Sequence, residues 1–120
     1  MNARLLLADA NPSTRKALRL LLKRKLDVQN VSEASDLNSL WKMAVELHPN
    51  WLLVDWRLPG MDGRIVLPKM AACWPGMKII VLSVRPEDER VALEAGAVVF
   101  VDKVHSPDIV LKHLRFNQLR

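Results

Sequence analysis

Residues 51–63 read WLLVDWRLPGMDG, an apolar run that ends in a carboxylate and continues into a loop rich in proline and glycine. The four residues before Asp55 are typical of a strand buried on both faces of a parallel sheet. Pro59 and Gly60 then provide turn chemistry. Asp55 is therefore predicted at the carboxyl end of an internal strand, where open α/β sheets place their ligand sites.

The length and composition indicate one folded domain. The chain has 120 residues, of which 50% are hydrophobic, and we predict a single domain over residues 1–120. No apolar run approaches the roughly eighteen residues of a membrane span. The amino-terminal residues lead into a strand and not into a signal peptide, so we expect a cytoplasmic protein with no membrane contact.

Part of the formal net charge of +5 lies on one helical segment. Arg15, Arg19 and Lys23 recur every four residues and would share one helical face. Such a face is most often solvated, and the alternative is a docking surface for an acidic partner or a nucleic acid. Because no helix-turn-helix pattern or aromatic stacking set accompanies it, the sequence does not favour direct nucleic-acid binding.

Apolar runs alternate with helical patterns along the chain. We predict strands over residues 5–8, 28–31, 51–54, 79–82 and 97–101. Capping residues and prolines predict helix starts at Asn11–Pro12, at Ser35 or Asp36, after Gly63, at Pro86 and at Ser106–Pro107.

This alternation predicts an α/β fold with a doubly wound parallel sheet. Two topologies compete: a flavodoxin-like (βα)5 arrangement with strand order 2-1-3-4-5, and half of a larger dinucleotide-binding fold. The second topology needs a glycine-rich turn after the first strand, where residues 8–12 of this chain read ADANP. We therefore predict the flavodoxin-like order.

Polar side chains stand at the ends of four predicted strands: Asp9, Asp55, Ser83 and Lys103. Taken singly, each of these residues has a purely structural explanation: the aspartates and the serine as helix caps, and the lysine as a solvated surface residue. Because all four stand at strand ends of one sheet, we favour a functional site. The two carboxylates would share a crevice suited to Mg²⁺, and the hydroxyl and the ammonium suit phosphoryl oxygens. The set favours phosphoryl transfer with Asp55 as the acceptor.

Residues 51–63 and three further motifs resemble the receiver domain of two-component response regulators, the CheY-like family, over essentially the whole chain. Residues 82–83 (LS) resemble the Ser/Thr strand end of the family, and residues 92–97 (ALEAGA) resemble the approach to its fifth strand. Lys103 matches the family lysine, and Phe100 matches the aromatic switch position.

The resemblance implies a signalling switch and not an enzyme. A sensor histidine kinase or a phosphotransfer protein would donate a phosphoryl group to Asp55, after which Ser83 and Phe100 would reorient and change an interaction face. Mg²⁺ would be held by Asp9, Asp55 and the backbone carbonyl of Arg57. Homodimer formation through the last helices is compatible with the family, whereas the sequence names no pathway or output partner.

Two positions depart from the family pattern in ways that affect the site. Ala10 stands where the family usually has a second acidic residue, its more direct metal ligand, so we predict weakened Mg²⁺ affinity. Val104 follows Lys103 where the family usually has a cis proline. Because a cis bond before valine would cost about 3 kcal/mol, we expect a trans bond and a rearranged loop.

Three further residues are predicted to tune the site. In the family, the positions of Arg57 and Arg85 set how fast the phosphoryl group is lost to water. Because arginine can clamp a phosphate, we hypothesise a slowly decaying phosphorylated form; the alternative is two solvent-facing arginines. Val84 stands where the family favours a small residue, and we expect it to narrow access to Asp55.

Two main functional hypotheses follow from these patterns. The first is a working receiver, favoured by Asp55, Ser83 and Lys103. The second is a degenerate pseudo-receiver that binds proteins without phosphorylation, favoured by Ala10, Val84 and Val104. A flavin-binding electron carrier on the same fold is disfavoured, because its phosphate site would need a hydroxyl- or glycine-rich loop after the first strand.

Overall fold

The computed structural model describes residues 3–103, 109–112 and 114. In these residues the strands are β1 (Arg4–Ala8), β2 (Asn30–Ala34), β3 (Trp51–Asp55), β4 (Lys78–Ser83) and β5 (Val99–Asp102). The helices are α1 (Pro12–Leu26), α2 (Leu37–Leu47), α3 (Gly63–Cys73) and α4 (Glu89–Glu94), with a 3₁₀ turn over Pro86–Asp88. Residues 109–112 and 114 are also helical.

The described strands form one sheet in the order β2-β1-β3-β4-β5, and every neighbouring pair is parallel. The predicted flavodoxin-like order is therefore confirmed. Because side chains alternate along a strand, the sheet divides the core into two apolar clusters. One cluster packs under α2, α3 and α4, and the other packs under α1 and the helical residues 110, 111 and 114.

Two predicted element boundaries were wrong at the ends of α1 and α4. We predicted the second strand over residues 28–31, but β2 starts at Asn30. Val28 is fully buried, yet its N–H bonds to the Leu22 carbonyl at the left-handed end of α1. We predicted the fifth strand from residue 97, but the Ala97 N–H bonds back to the Ala92 carbonyl and β5 begins at Val99. In both cases the N–H of an apolar residue bonds to a carbonyl of the preceding helix, and the strand starts two residues later.

The helix starts follow the predicted capping residues closely. The Asn11 side chain accepts hydrogen bonds from the amides of Ser13 and Thr14. Asp36 forms a reciprocal capping box with Ser39 at the start of α2. At Pro86 the chain enters a 3₁₀ turn first, and α4 starts three residues later. The predicted start at Ser106–Pro107 and the predicted trans bond before Val104 lie outside the described residues.

Two arginines on the basic face of α1 form ion pairs with a glutamate of β2. Arg15 Nε lies 2.9 Å from Glu33 Oε1, and Arg19 pairs with the other oxygen of Glu33. Arg15 also donates to the backbone carbonyl of Asp9. These bonds attach α1 to the carboxyl ends of β1 and β2, next to the predicted site.

No helix among the described residues is long and apolar enough to cross a membrane.

Candidate functional site

The carboxyl ends of β1, β3 and β5 bring together three of the predicted site residues. Asp9 follows β1, Asp55 ends β3 and Lys103 follows β5. The Lys103 Nζ lies 2.6 Å from Asp9 Oδ2 and 3.3 Å from Asp55 Oδ2. One ammonium therefore bridges two carboxylates that would otherwise repel each other.

Backbone amides hold the other oxygen of each carboxylate. The Asn11 N–H donates to Asp9 Oδ1 and the Arg57 N–H donates to Asp55 Oδ1, both at 2.9 Å. Asp9 is only 3% exposed, whereas Asp55 is partly exposed. Asp55 is thus the more accessible of the two carboxylates, and its orientation is fixed from two sides.

The charge on Lys103 is secured by its two partners. Burial alone would lower the pKa of Lys103, but the hydrogen bond to Asp9 and the negative charge of Asp55 outweigh it and raise that pKa. The side chain therefore stays protonated at neutral pH. A fixed positive charge at this position can stabilise negative charge on a group bound beside Asp55.

Ser83 is fully buried at the end of β4, one strand away from Asp55. Its hydroxyl donates to Asp88 Oδ2 at 2.8 Å and accepts from the Arg85 N–H at 3.0 Å. Its carbonyl accepts from the Lys103 N–H at 2.7 Å. The backbones of Ser83 and Lys103 are therefore joined directly, while the Ser83 hydroxyl is committed to Asp88.

Asp88 is a site residue that sequence reasoning missed. It ends the 3₁₀ turn before α4 and is 8% exposed. Besides the Ser83 hydroxyl, it contacts Arg57, whose Nη2 lies 3.3 Å from Asp88 Oδ1. The pattern Pro86-Glu87-Asp88 predicts only a helix start, because it gives no sign that a carboxylate there turns back toward β4.

The remaining predicted residues surround this arrangement. The Arg57 side chain is 54% exposed although it pairs with Asp88. Arg85 is exposed, and Val84 is 58% exposed. Phe100 is half-buried on β5 and packs against the core cluster under α2, α3 and α4.

The acidic groups offer a limited set of metal ligands. Within the described part of the chain, no group of three or more His, Cys, Asp or Glu side chains is arranged to hold a metal ion. Mg²⁺ needs only one or two carboxylates when waters and phosphate oxygens complete its shell. Asp9 and Asp55, with the Arg57 carbonyl nearby in sequence, fit that modest requirement, and Ala10 contributes no carboxylate.

Comparison with known families identifies the family to which this fold belongs. Residues 5–115 match the family model for the response regulator receiver domain. The chain belongs to the response regulator receiver domain family. It is therefore a receiver domain of two-component signalling, a class in which aspartate phosphorylation is the general function and Mg²⁺ is generally bound.

Relatives and solved structures agree with this assignment. The chain is 33% identical over 114 residues to the nitrate/nitrite response regulator protein NarL of Escherichia coli K12, covering 93% of this chain and 53% of NarL. It therefore spans about half the length of that relative.

Two solved structures share the fold. The isolated receiver domain of RcsB from Salmonella enterica serovar Typhimurium, in the presence of the phosphomimetic BeF3⁻, has a TM-score of 0.86 at 24% identity, covering 98% of this chain and 89% of that chain. A response regulator from Burkholderia pseudomallei, with a phosphorylated aspartic acid and a calcium ion, has a TM-score of 0.80 at 20% identity, covering 92% of this chain and 65% of that chain.

Proposed function

We propose that Asp55 accepts a phosphoryl group from a sensor histidine kinase or a phosphotransfer protein, and that this modification switches a protein-interaction face. The observation that carries the proposal is the placement of the Asp55 carboxylate 3.3 Å from the Lys103 ammonium at the end of a central strand. Asp55 combines partial exposure, a fixed orientation and an adjacent positive charge.

The residues divide the chemistry of transfer among them. A carboxylate oxygen of Asp55 forms the new bond to phosphorus while the bond from phosphorus to the imidazole nitrogen of the donor breaks. Lys103 stabilises the negative charge on the transferring group. The Ser83 hydroxyl then turns to donate to a phosphoryl oxygen, and Phe100 responds on the neighbouring strand.

Mg²⁺ is part of this proposal. Asp9, Asp55 and the Arg57 carbonyl would hold the ion, and the bound ion would neutralise charge on the phosphoryl oxygens. Asp9 would exchange its contact with Lys103 for this role. With Ala10 in place of a carboxylate, we expect the affinity for Mg²⁺ to be weak.

The wider role follows from the family. We infer that the chain acts as a switch and not as an enzyme, that it works in the cytoplasm, and that its partner is a histidine kinase or phosphotransfer protein. The family match over residues 5–115 supports these inferences. Regulation through a homodimer is compatible with the same role.

Intact mass measurement tests the proposed function. The protein is incubated with acetyl phosphate and Mg²⁺, and the expected product carries one phosphoryl group. Asp55→Asn and removal of Mg²⁺ with a chelator should each abolish the adduct. Asp62→Asn is the matched control, because Asp62 is an exposed aspartate in the same loop whose capping role asparagine can keep. An unmodified but folded wild-type protein, or an adduct that survives in Asp55→Asn, would contradict the proposal.

A further inference from the structure

We propose that Asp88 is a positioning residue that restrains the switch in the unphosphorylated protein. Its carboxylate holds the Ser83 hydroxyl and the Arg57 guanidinium, and both must be released or shared when a phosphoryl group is attached to Asp55. This inference rests on the proposed function of Asp55 and adds a residue that opposes the activated state.

The contacts of Asp88 are directed at the site and not at its own helix. Asp88 immediately precedes α4, a position where aspartate usually caps the following helix through its side chain. Its side chain makes no capping hydrogen bond there. One carboxylate oxygen instead accepts from Ser83 and the other lies against Arg57, with the Asp88 side chain 11% exposed.

The Ser83 hydroxyl cannot serve Asp88 and a phosphoryl group at the same time. A serine hydroxyl has one proton to donate, and in this structure the proton is directed at Asp88 Oδ2. Donation to a phosphoryl oxygen on Asp55 therefore requires that the bond to Asp88 breaks. The bond to Asp88 is charge-assisted, so its loss offsets part of what the new bond to the phosphoryl oxygen contributes, and in this way it opposes phosphorylation.

Arg57 is restrained by the same carboxylate. Its backbone N–H orients Asp55, while its guanidinium lies against Asp88, 31 residues farther along the chain. A guanidinium has five N–H donors, so Arg57 has enough of them to donate to Asp88 and to a phosphate at the same time. Its attraction to Asp88 nevertheless weakens any clamp that it makes on the phosphoryl group.

The hydrogen bond between Ser83 and Asp88 also connects the site to the start of α4. Asp88 belongs to the 3₁₀ turn Pro86–Asp88, which leads directly into α4. When Ser83 changes its hydrogen-bond partner, the turn loses a buried attachment to β4. The expected result is a change at the start of α4, on the face that the switch is proposed to alter.

Binding of beryllofluoride, a phosphoryl mimic, tests this role at equilibrium. The dissociation constant of BeF3⁻ is measured at saturating Mg²⁺ by tryptophan fluorescence, because Trp56 directly follows Asp55. Asp88→Ala should bind BeF3⁻ about tenfold more tightly than the wild type, as expected for removing one competing charge-assisted hydrogen bond. Glu87→Gln is the matched control, since Glu87 is an exposed acidic neighbour, and it should change the affinity less than about twofold.

Changes at Ser83 and Arg57 separate the restraint from a general effect of charge. The gain in BeF3⁻ affinity caused by Asp88→Ala should vanish when Ser83→Ala and Arg57→Ala are also present. The same gain should persist in a Ser83→Thr background, because threonine keeps a hydroxyl. A gain that survives without both partners would show that Asp88 acts only through its charge and would overturn the proposal. An unchanged or weaker affinity in Asp88→Ala would also overturn it. If the wild type binds no BeF3⁻ and accepts no phosphoryl group, the proposed function itself fails, and this inference fails with it.

Discussion

Lys103 is the residue on which the arrangement of the site depends, because its ammonium lies between two carboxylates from different strands. The distances of 2.6 Å to Asp9 and 3.3 Å to Asp55 make it the common partner of both. Asp9 is almost fully buried, and a buried carboxylate that loses its charged partner is costly. Lys103 therefore stabilises the folded arrangement of the site.

Lys103→Met is expected to lower the free energy of unfolding by about 1–2 kcal/mol at neutral pH. The pKa of Lys103 is raised by folding, so its contribution is fully present below the unfolded value near 10.5 and is lost as pH rises through the folded value. Urea denaturation at several pH values measures the difference between variant and wild type. Lys42→Met, which alters an exposed lysine, should show little effect, and a Lys103 effect that grows above pH 10.5 would contradict this view.

Ala10 leaves the proposed metal site with two nearby carboxylates. Ala10→Asp should tighten Mg²⁺ binding about tenfold, because a further carboxylate adds charge and a direct ligand. Fluorescence titration with Mg²⁺ measures the affinity, and Ala10→Asn serves as the uncharged control. The expectation is wrong if the wild type already binds Mg²⁺ as tightly as Ala10→Asp.

We predict that Arg57 affects the lifetime of the phosphorylated protein. Its guanidinium pairs with Asp88 and is half-exposed, so it has room to turn toward a phosphate on Asp55. Arg57→Ala should shorten the lifetime of the phosphoryl adduct several-fold, as followed by intact mass after the donor is removed. Arg64→Ala, an exposed arginine in the same region, is the control. A longer lifetime in Arg57→Ala would exclude the clamp, and Arg85→Ala offers the same test for the second arginine.

At the scale of elements, the loop from β3 to α3 is held by a close contact between Trp56 and Gly63. Gly63 is the first residue of α3 and is buried. A Cβ atom at this position would overlap the Trp56 ring. Because Trp56 directly follows Asp55, the contact ties the start of α3 to the end of β3.

Gly63→Ala is therefore expected to destabilise the fold by about 1–3 kcal/mol, because the added methyl group forces the Trp56 ring to move. Urea denaturation followed by circular dichroism gives the free energy of unfolding. Gly76→Ala is the matched control, because a Cβ atom there meets no atom within 4 Å. Equal stability of Gly63→Ala and the wild type would mean that Trp56 moves freely.

The elements also show which local features the sequence could predict. Helix caps need particular side chains at one position, which predicted Asn11 as a cap and narrowed the next helix start to Ser35 or Asp36. The structure shows Asn11 and Asp36 as the caps. The start of β2 was misplaced because an apolar residue such as Val28 suits a strand and a helix end equally well. Only hydrogen bonding to Leu22 distinguishes the two.

At the scale of the whole molecule, the parallel sheet explains why most of the site was predictable. Parallel strands bring their carboxyl ends to one edge, so residues far apart in sequence, such as Asp9 and Lys103, could be assigned to one place. Asp88 could not be assigned in this way. It belongs to a turn, and its partners Ser83 and Arg57 become visible only when β3 and β4 are packed together.

If a phosphoryl group on Asp55 switches the protein, its effect should reach β4, β5 and the start of α4. Amide NMR spectra recorded with and without BeF3⁻ and Mg²⁺ measure this effect residue by residue. We expect shifts at Ser83, at Asp88 and the start of α4, and at Phe100, all absent in Asp55→Asn. Spectra that do not change, or that change identically in Asp55→Asn, would show that Asp55 does not control a switch.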